Sequence, residues 1–294
     1  MNQIIVGVDG SEQSLAATRW AADEARRRNA ALRVVYVVTP WLFDVPVDPR
    51  AGAVRAWLLK GGEEIVDRAV AAARENAPGA EVTGVQKGGH ATEVLIDEAR
   101  DALMLVAGTR GTGTLAGLAL GSVSLQIASH ARRPTVIVRE VAPQESGPAS
   151  GGGIVVGVDG SPGSAAALGF AFEEAAARGA GVRAVLAWTH PASAAPEELR
   201  PSAFDAEALA GEHERVLAEA LAGWRERFPD VSVEREVVHQ RTVRALADAS
   251  AGADLLVVGS RGRGGFAGLL LGSVGRAMLH RAHCPVAVVP APGG

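Results

Sequence analysis

The chain has 294 residues, 48% of them apolar and 21% charged, a formal net charge of −4 and a single cysteine, Cys284. That apolar share supports packed cores and excludes a disordered chain, while the mild acidity offers no basic face for nucleic acid or anionic lipid. One cysteine excludes an intrachain disulfide, and no apolar run approaches the roughly 18 residues of a membrane span.

The opening segment, MNQIIVGVDGS, reads as a strand at 3–8 and not as an export signal, so a cytoplasmic protein with no membrane partner is expected. The strand leads through Gly7, Asp9, Gly10 and Ser11 into a helix at 13–28. A strand at 32–38, a helix at about 56–76, a strand at 81–86, a helix at 91–101 and a strand at 103–107 follow. A glycine-rich stretch from Gly108 to Gly121, a helix at 122–131 and a strand at 135–138 close the set. APQESGPASGGG, residues 142–153, has no apolar periodicity and reads as a linker.

The set then repeats, with strands near 154–158, 182–188, 231–238, 254–258 and 286–289 and helices at 163–178, about 204–227, 242–251 and 273–282. IIVGVDGS at 4–11 returns as IVVGVDGS at 154–161, an offset of 150. GTRGTGTLAGLALGSVS at 108–124 returns as GSRGRGGFAGLLLGSVG at 259–275, an offset of 151. The strongest strand runs, IIVGV, MLVAG and LLVVG, are apolar throughout, as parallel strands covered on both faces are. Strands alternating with helices imply right-handed βαβ units. The expected fold is therefore α/β: two tandem doubly wound five-stranded parallel-sheet domains, Rossmann-like with strand order 3-2-1-4-5. Their expected bounds are 1–141 and 154–290.

In such sheets a ligand sits beyond the C-terminal ends of the strands. The D-G-S turn after the first strand falls there, as does the glycine-rich stretch after the fourth. Glycines at a strand exit permit positive φ and close approach of backbone to a ligand. Gly121-Ser122 precedes a helix, so Ser122 is an N-cap or first-turn residue at a natural anion site. No Gly-Lys-Ser/Thr step exists, and the only lysines, Lys60 and Lys87, lie away from the loop. Phosphate would thus rest on backbone N–H groups, hydroxyls and Arg110 or Arg261. Blander readings stay open: Asp9 and Asp159 as turn residues, the glycines as a surface loop, the arginines as solvated charges. His280 and His283 suit a helix C-terminus better than a metal, Cys284 is no candidate nucleophile, and His90 and His239 fall near the crevice without aligning. Trp41, Trp57 and Trp224 read as packing residues.

V-G-V-D-G-S at the first strand with G-x-x-G, nine residues and G-S after the fourth, duplicated over nearly the whole chain, resembles the ATP-binding class of the universal stress protein family in its tandem form. The resemblance implies ATP as ligand, with Mg2+ as an optional companion. Gly7, Asp9 and Ser11, with Gly157, Asp159 and Ser161, would form the adenine end, and the backbone near Val38 and Trp188 would border the base. Gly108, Thr109, Arg110 and Gly111, with Gly259, Ser260, Arg261 and Gly262, would wrap the ribose and first phosphates. Gly121, Ser122, Val123 and Ser124, with Gly272, Ser273, Val274 and Gly275, would hold the outer phosphates. Gly275 replaces Ser124, so the second site is expected to be weaker.

The implied role is a regulator or sensor in stress response or growth control, with protein partners unspecified. No base is positioned, and Asp9, which could touch a metal, suits the base end of the ligand better, so no catalytic residue is assigned and slow ATP hydrolysis is the most expected. An adenylating or ATP-hydrolysing enzyme on the same fold is the alternative, although no Ser-Gly-Gly-x-Asp-Ser loop or His-x-Gly-His motif is present. A nucleotide-free assembly module is another. TVIV at 135–138 and VAVV at 286–289 would be uncharged sheet edges, which invite pairing. An intrachain pseudo-dimer through those edges is expected, with a homodimer as a further option.

Overall fold

The computed structural model describes residues 2–38, 49–109, 111, 120–139, 152–189, 206–263 and 271–291, with side chains in the second helix of each repeat from 56 and 209 onward. Arg110, Trp41 and nearly all of the expected linker lie outside the described residues. The chain divides into two compact units, Met1–Glu140 and Val141–Gly294.

Unit one runs β1 (Gln3–Val8), α1 (Glu12–Arg27), β2 (Ala31–Val38), α2 (Pro49–Asn76), β3 (Val82–Gly88), α3 (Ala91–Glu98), β4 (Met104–Gly108), α4 (Ser122–His130) and β5 (Thr135–Val138). Unit two runs β6 (Ile154–Gly157), α5 (Pro162–Arg178), β7 (Val182–Trp188), α6 (Ala206–Leu221), α7 (Trp224–Arg227), β8 (Val233–His239), α8 (Thr242–Ala249), β9 (Leu255–Gly259), α9 (Ser273–Arg281) and β10 (Val286–Val289). The strand order is β3-β2-β1-β4-β5 in unit one and β8-β7-β6-β9-β10 in unit two. All these neighbours are parallel, with Val6 opposite both Val34 and Val106 and Val156 opposite both Ala184 and Val257. The doubly wound fold expected from the sequence is present in both repeats.

Sequence explains the central strands directly. Ile4, Ile5 and Val6 in β1 and Met104, Leu105 and Val106 in β4 have no exposure, because helices cover both faces of the sheet. Burying each such side chain contributes about 1.5–3 kcal/mol. The faces follow from alternation along β2: Tyr36 abuts α2 at Gly62, whereas Val35 and Val37 face the opposite side with Leu95 of α3.

The first helices begin on matching caps. Ser11 and Ser161, in extended backbone, accept the N–H of Ser14 and Ser164, each at 3.2 Å. They end on matching reversals, at Asn29 (φ 48°) and Gly179 (φ 64°), two residue types that tolerate left-handed backbone.

The second helices depart from expectation. α2 begins at Pro49, earlier than the expected 56, because proline at a first helical position starts a helix without needing an apolar repeat. The single helix expected over 204–227 is two, broken at Gly223, whose φ of 80° ends α6 and redirects the chain into α7. No helix among the described residues is long and apolar enough to cross a membrane.

Candidate functional site

Each unit has a cleft of about 370 Å³ at the C-terminal ends of its parallel strands. In unit one, Gly7 and Asp9 from the end of β1, Val35 and Val37 from β2, Leu95 from α3, and Gly108, Gly111 and Gly121 to Ser124 line it. In unit two the aligned set is Gly157, Asp159, Leu246, Gly259, Gly262 and Gly272 to Gly275, with Arg261 and Arg263. Gly7 lies under Leu95: a Cβ there would meet Leu95 Cδ1 at 2.8 Å.

The D-G-S turn is a closed hydrogen-bond system. Asp9 Oδ1 accepts from the Ser11 N–H at 3.1 Å and from its hydroxyl at 2.6 Å, while the Ser14 hydroxyl donates to the Ser11 carbonyl at 2.8 Å. Gly10 (φ 87°) and Gly160 (φ 75°) take the left-handed backbone that the turn requires. Asp159 accepts the Ser161 N–H at 2.9 Å through Oδ1 and the Arg263 N–H at 3.0 Å through Oδ2. Burial acts to raise the Asp159 carboxyl, but hydrogen bonds from Ser161, Arg263 and Ser164 outweigh it and hold the group below the usual carboxylate range.

Gly108, Gly111, Gly259 and Gly262 are required by space. None of Gly108, Gly121, Gly259, Gly262 or Gly272 has positive φ, which corrects at these positions the conformational reason expected from sequence. A Cβ on Gly111 would strike Asp9 Oδ2, and one on Gly262 would strike Asp159 Oδ2. A Cβ on Gly108 would meet the Gln13 carbonyl at 2.7 Å. The two sequence features, D-G-S and G-x-x-G, therefore touch: an aspartate carboxylate rests on the second glycine of the step.

Past the loop, Gly121 and Gly272 occupy the N-cap positions of α4 and α9, and neither helix has a side-chain cap. Gly121, not Ser122, is the N-cap; Ser122 is the first helical residue, exposed at the cleft, as is Ser273. The first three helical N–H groups, of Ser122, Val123 and Ser124, have no acceptor within the helix. The helix start is fixed by the Gly121 N–H donating to the Thr109 carbonyl at 2.7 Å, while the Thr109 N–H donates to Val138 in β5 at 3.1 Å. Ser260 repeats both bonds with Gly272 and Val289, each at 2.7 Å. Thr109 and Ser260 are thus buried struts. Ser124 is buried too, and its hydroxyl donates to the Gly108 carbonyl at 2.7 Å, so its proton is engaged inside the protein. In unit two, where Gly275 stands, a Cβ would meet Leu271 Cδ1 at 2.9 Å.

Several expected residues lie elsewhere. Val38 is buried and its carbonyl accepts the Gly89 N–H at 3.0 Å, while Val35 and Val37 line the cleft in its stead. Trp188 packs between His239 (4.3 Å between ring centroids) and His213 (5.0 Å). Trp224 packs, as expected, on Phe172 and Phe228; Trp57 does not pack, being 73% exposed. Sequence reasoning missed Ser14 and Ser164, Leu95 and Leu246, and Arg263. The serines carried a signal, standing three residues after a capping serine. Among the described residues no group of three or more His, Cys, Asp or Glu is placed to hold a metal.

A doubly wound sheet repeated in one chain, each copy with the same glycine-lined cleft, defines a tandem Rossmann-like protein. The universal stress protein family matches residues 1–139 and 153–290, and the chain belongs to that family. It is 38% identical to the universal stress protein Rv1996 of Mycobacterium tuberculosis over 305 residues, 98% of this chain and 95% of that one. It is 40% identical to Rv2005c of the same organism over 293 residues, covering 97% and 96%. A universal stress protein from Archaeoglobus fulgidus shares the fold with a TM-score of 0.70 at 18% identity, over 99% of this chain and 98% of the other.

Proposed function

We propose that each unit binds an adenine nucleotide of the ATP kind and that the protein works through this binding, as a sensor or regulator in stress response or growth control. One observation carries the reading: the same constellation stands at the strand ends of both units. It joins an aspartate at the end of the first strand, a glycine step against its carboxylate, and an uncapped helix start. The carboxylate suits the amino edge of adenine as an acceptor. The N–H groups of Ser122, Val123 and Ser124, and of Ser273, Val274 and Gly275, suit phosphate as donors. A cleft of about 370 Å³ is on the scale of small-molecule sites. Any Mg2+ would arrive on the phosphates, because Asp9 is the sole carboxylate among the described residues lining the first cleft.

A cytoplasmic setting and an intrachain pseudo-dimer through the fifth strands belong to the same proposal. The latter rests on two repeats in one chain and on the apolar, uncharged sequence of those strands.

The test is mass spectrometry of small molecules released from protein purified without added nucleotide. Wild type should release an adenine nucleotide. A Gly111→Ala, Gly262→Ala double variant, which drives a methyl into both aspartate carboxylates, should lose most of that load, through a weakening well beyond about tenfold. An unchanged load would put the ligand elsewhere, and rapid acceptor-dependent release of pyrophosphate from labelled ATP would make the protein an enzyme.

A further inference from the structure

We infer that Arg263 is the residue by which the unit-two cleft reads how many phosphates its ligand carries, so that this cleft favours ATP and ADP over AMP. The inference rests on the nucleotide reading above and concerns a side chain which that reading does not use.

The charge around the two clefts differs. Among the described lining residues, the unit-one cleft has one charged group, Asp9, whereas the unit-two cleft has Asp159, Arg261 and Arg263. Arg261 has a sequence counterpart in Arg110, but the position aligned with Arg263 is Thr112. The added cation of unit two is therefore Arg263.

Its surroundings leave that charge available. Arg263 is exposed and makes no ion pair among the described residues. The carboxylate of the same cleft accepts from the Ser161 N–H and from the Arg263 backbone N–H, at 2.9 and 3.0 Å, and not from the guanidinium. That backbone bond fixes where the side chain leaves the loop. From there it reaches over the D-G-S turn, where a Cβ on Gly160 would meet Nη2 at 2.5 Å. Unit one fills the equivalent place differently. The side chain of Ile65 lies over Gly10, and Arg68 of α2 donates Nη2 to the Gly10 carbonyl at 2.6 Å. Arg68 is thus tied to a carbonyl, and it does not line the cleft.

A guanidinium with no ion pair among the described residues, at the rim of a cleft whose helix start already suits phosphate, adds attraction in proportion to ligand charge. A residue that merely braces the turn would shift all nucleotides alike. This difference separates charge reading from a structural role.

The experiment uses the full chain with the first cleft disabled by Asp9→Ala and Gly111→Val, so that titration reads unit two. Equilibrium binding of ATP, ADP and AMP is measured at low and at high salt, for this chain and for its Arg263→Thr and Arg263→Lys forms. Arg263→Thr should weaken ATP by roughly tenfold and AMP by less than about twofold, and should flatten the salt dependence of ATP binding. Arg263→Lys should restore most of the preference. Equal weakening of ATP and AMP would make Arg263 a positioning residue and overturn the inference, as would no change in either. If the chain with Arg263 intact binds ATP, ADP and AMP nowhere, the nucleotide reading itself fails, and that outcome is distinct from both.

Discussion

Where the first helix of each unit meets the second, the two repeats fill the same space with opposite means. Unit one has Ala22, Ala73 and Ala77, all without exposure, and α1 and α2 approach closely. Unit two has Phe172, Trp224 and Phe228 at the aligned positions, and Phe172 stacks on the other two rings at 5.7 Å each. Its α5 and α6 do not approach as closely. Gly169 makes room for the indole, since a Cβ there would meet Trp224 at 2.9 Å. The helix break at Gly223 turns Trp224 and Phe228 inward. The clefts, by contrast, repeat their aspartate, their glycine step and their helix start at matching positions. A packed layer tolerates any set of side chains that fills the volume. The cleft is bound by backbone-to-carboxylate contact at Gly111 and Gly262, where no added atom fits.

The sharpest way to break this comparison is at the rings. Phe172→Ala should cost about 3–5 kcal/mol in chemical denaturation, because neither Trp224 nor Phe228 can collapse into the space. The converse change, Ala22→Phe, should cost about 1–3 kcal/mol through overpacking of α1 against α2. Two small and equal losses would mean that both helix pairs are equally adaptable.

A smaller effect sharpens a second difference between the clefts, Ser124 against Gly275. Ser124→Ala should lower stability by about 1 kcal/mol, the scale of one buried hydrogen bond, and leave nucleotide affinity within about twofold. Loss of affinity without loss of stability would show that the hydroxyl serves the ligand and not Gly108. The sequence comparison ranks unit one above unit two on this hydroxyl. The bond to Gly108 removes the ground for that ranking, and Arg263 of unit two points the other way.

The smallest effect is in acid. The Asp159 carboxyl titrates lower in the folded chain than in the unfolded one, so its contribution is present in full above the unfolded value, about 3.9. It is lost as pH falls through the folded value. Asp159→Asn should therefore destabilise by under about 1 kcal/mol at neutral pH, given the partly exposed site. The gap to wild type should close below about pH 4. A gap that persists or widens in acid would mean that the carboxylate is not held by Ser161 and Arg263.

Much of the fold was legible because parallel strands buried on both faces leave uninterrupted apolar runs, and the repeat states each of them twice. The helix break at Gly223 was not, since a glycine within an apolar helical pattern carries no mark of the sign of its φ. Trp57 was misread as packing because an isolated tryptophan gives no sign of which side of its helix meets the sheet. Val38 was placed at the cleft because it ends its strand, but alternation along β2 turns Val35 and Val37 there.

The sequence by itself determined the duplication, the winding order and the loop that lies at the strand ends, since all three follow from periodicity and spacing along one dimension. Only the tertiary structure decided why Gly108, Gly111, Gly259 and Gly262 must be glycine, which serine is exposed at the cleft and which arginine stands beside it with no ion pair among the described residues. Those facts depend on the distance between residues far apart in the chain, such as Asp159 and Arg263, and no local pattern encodes that distance.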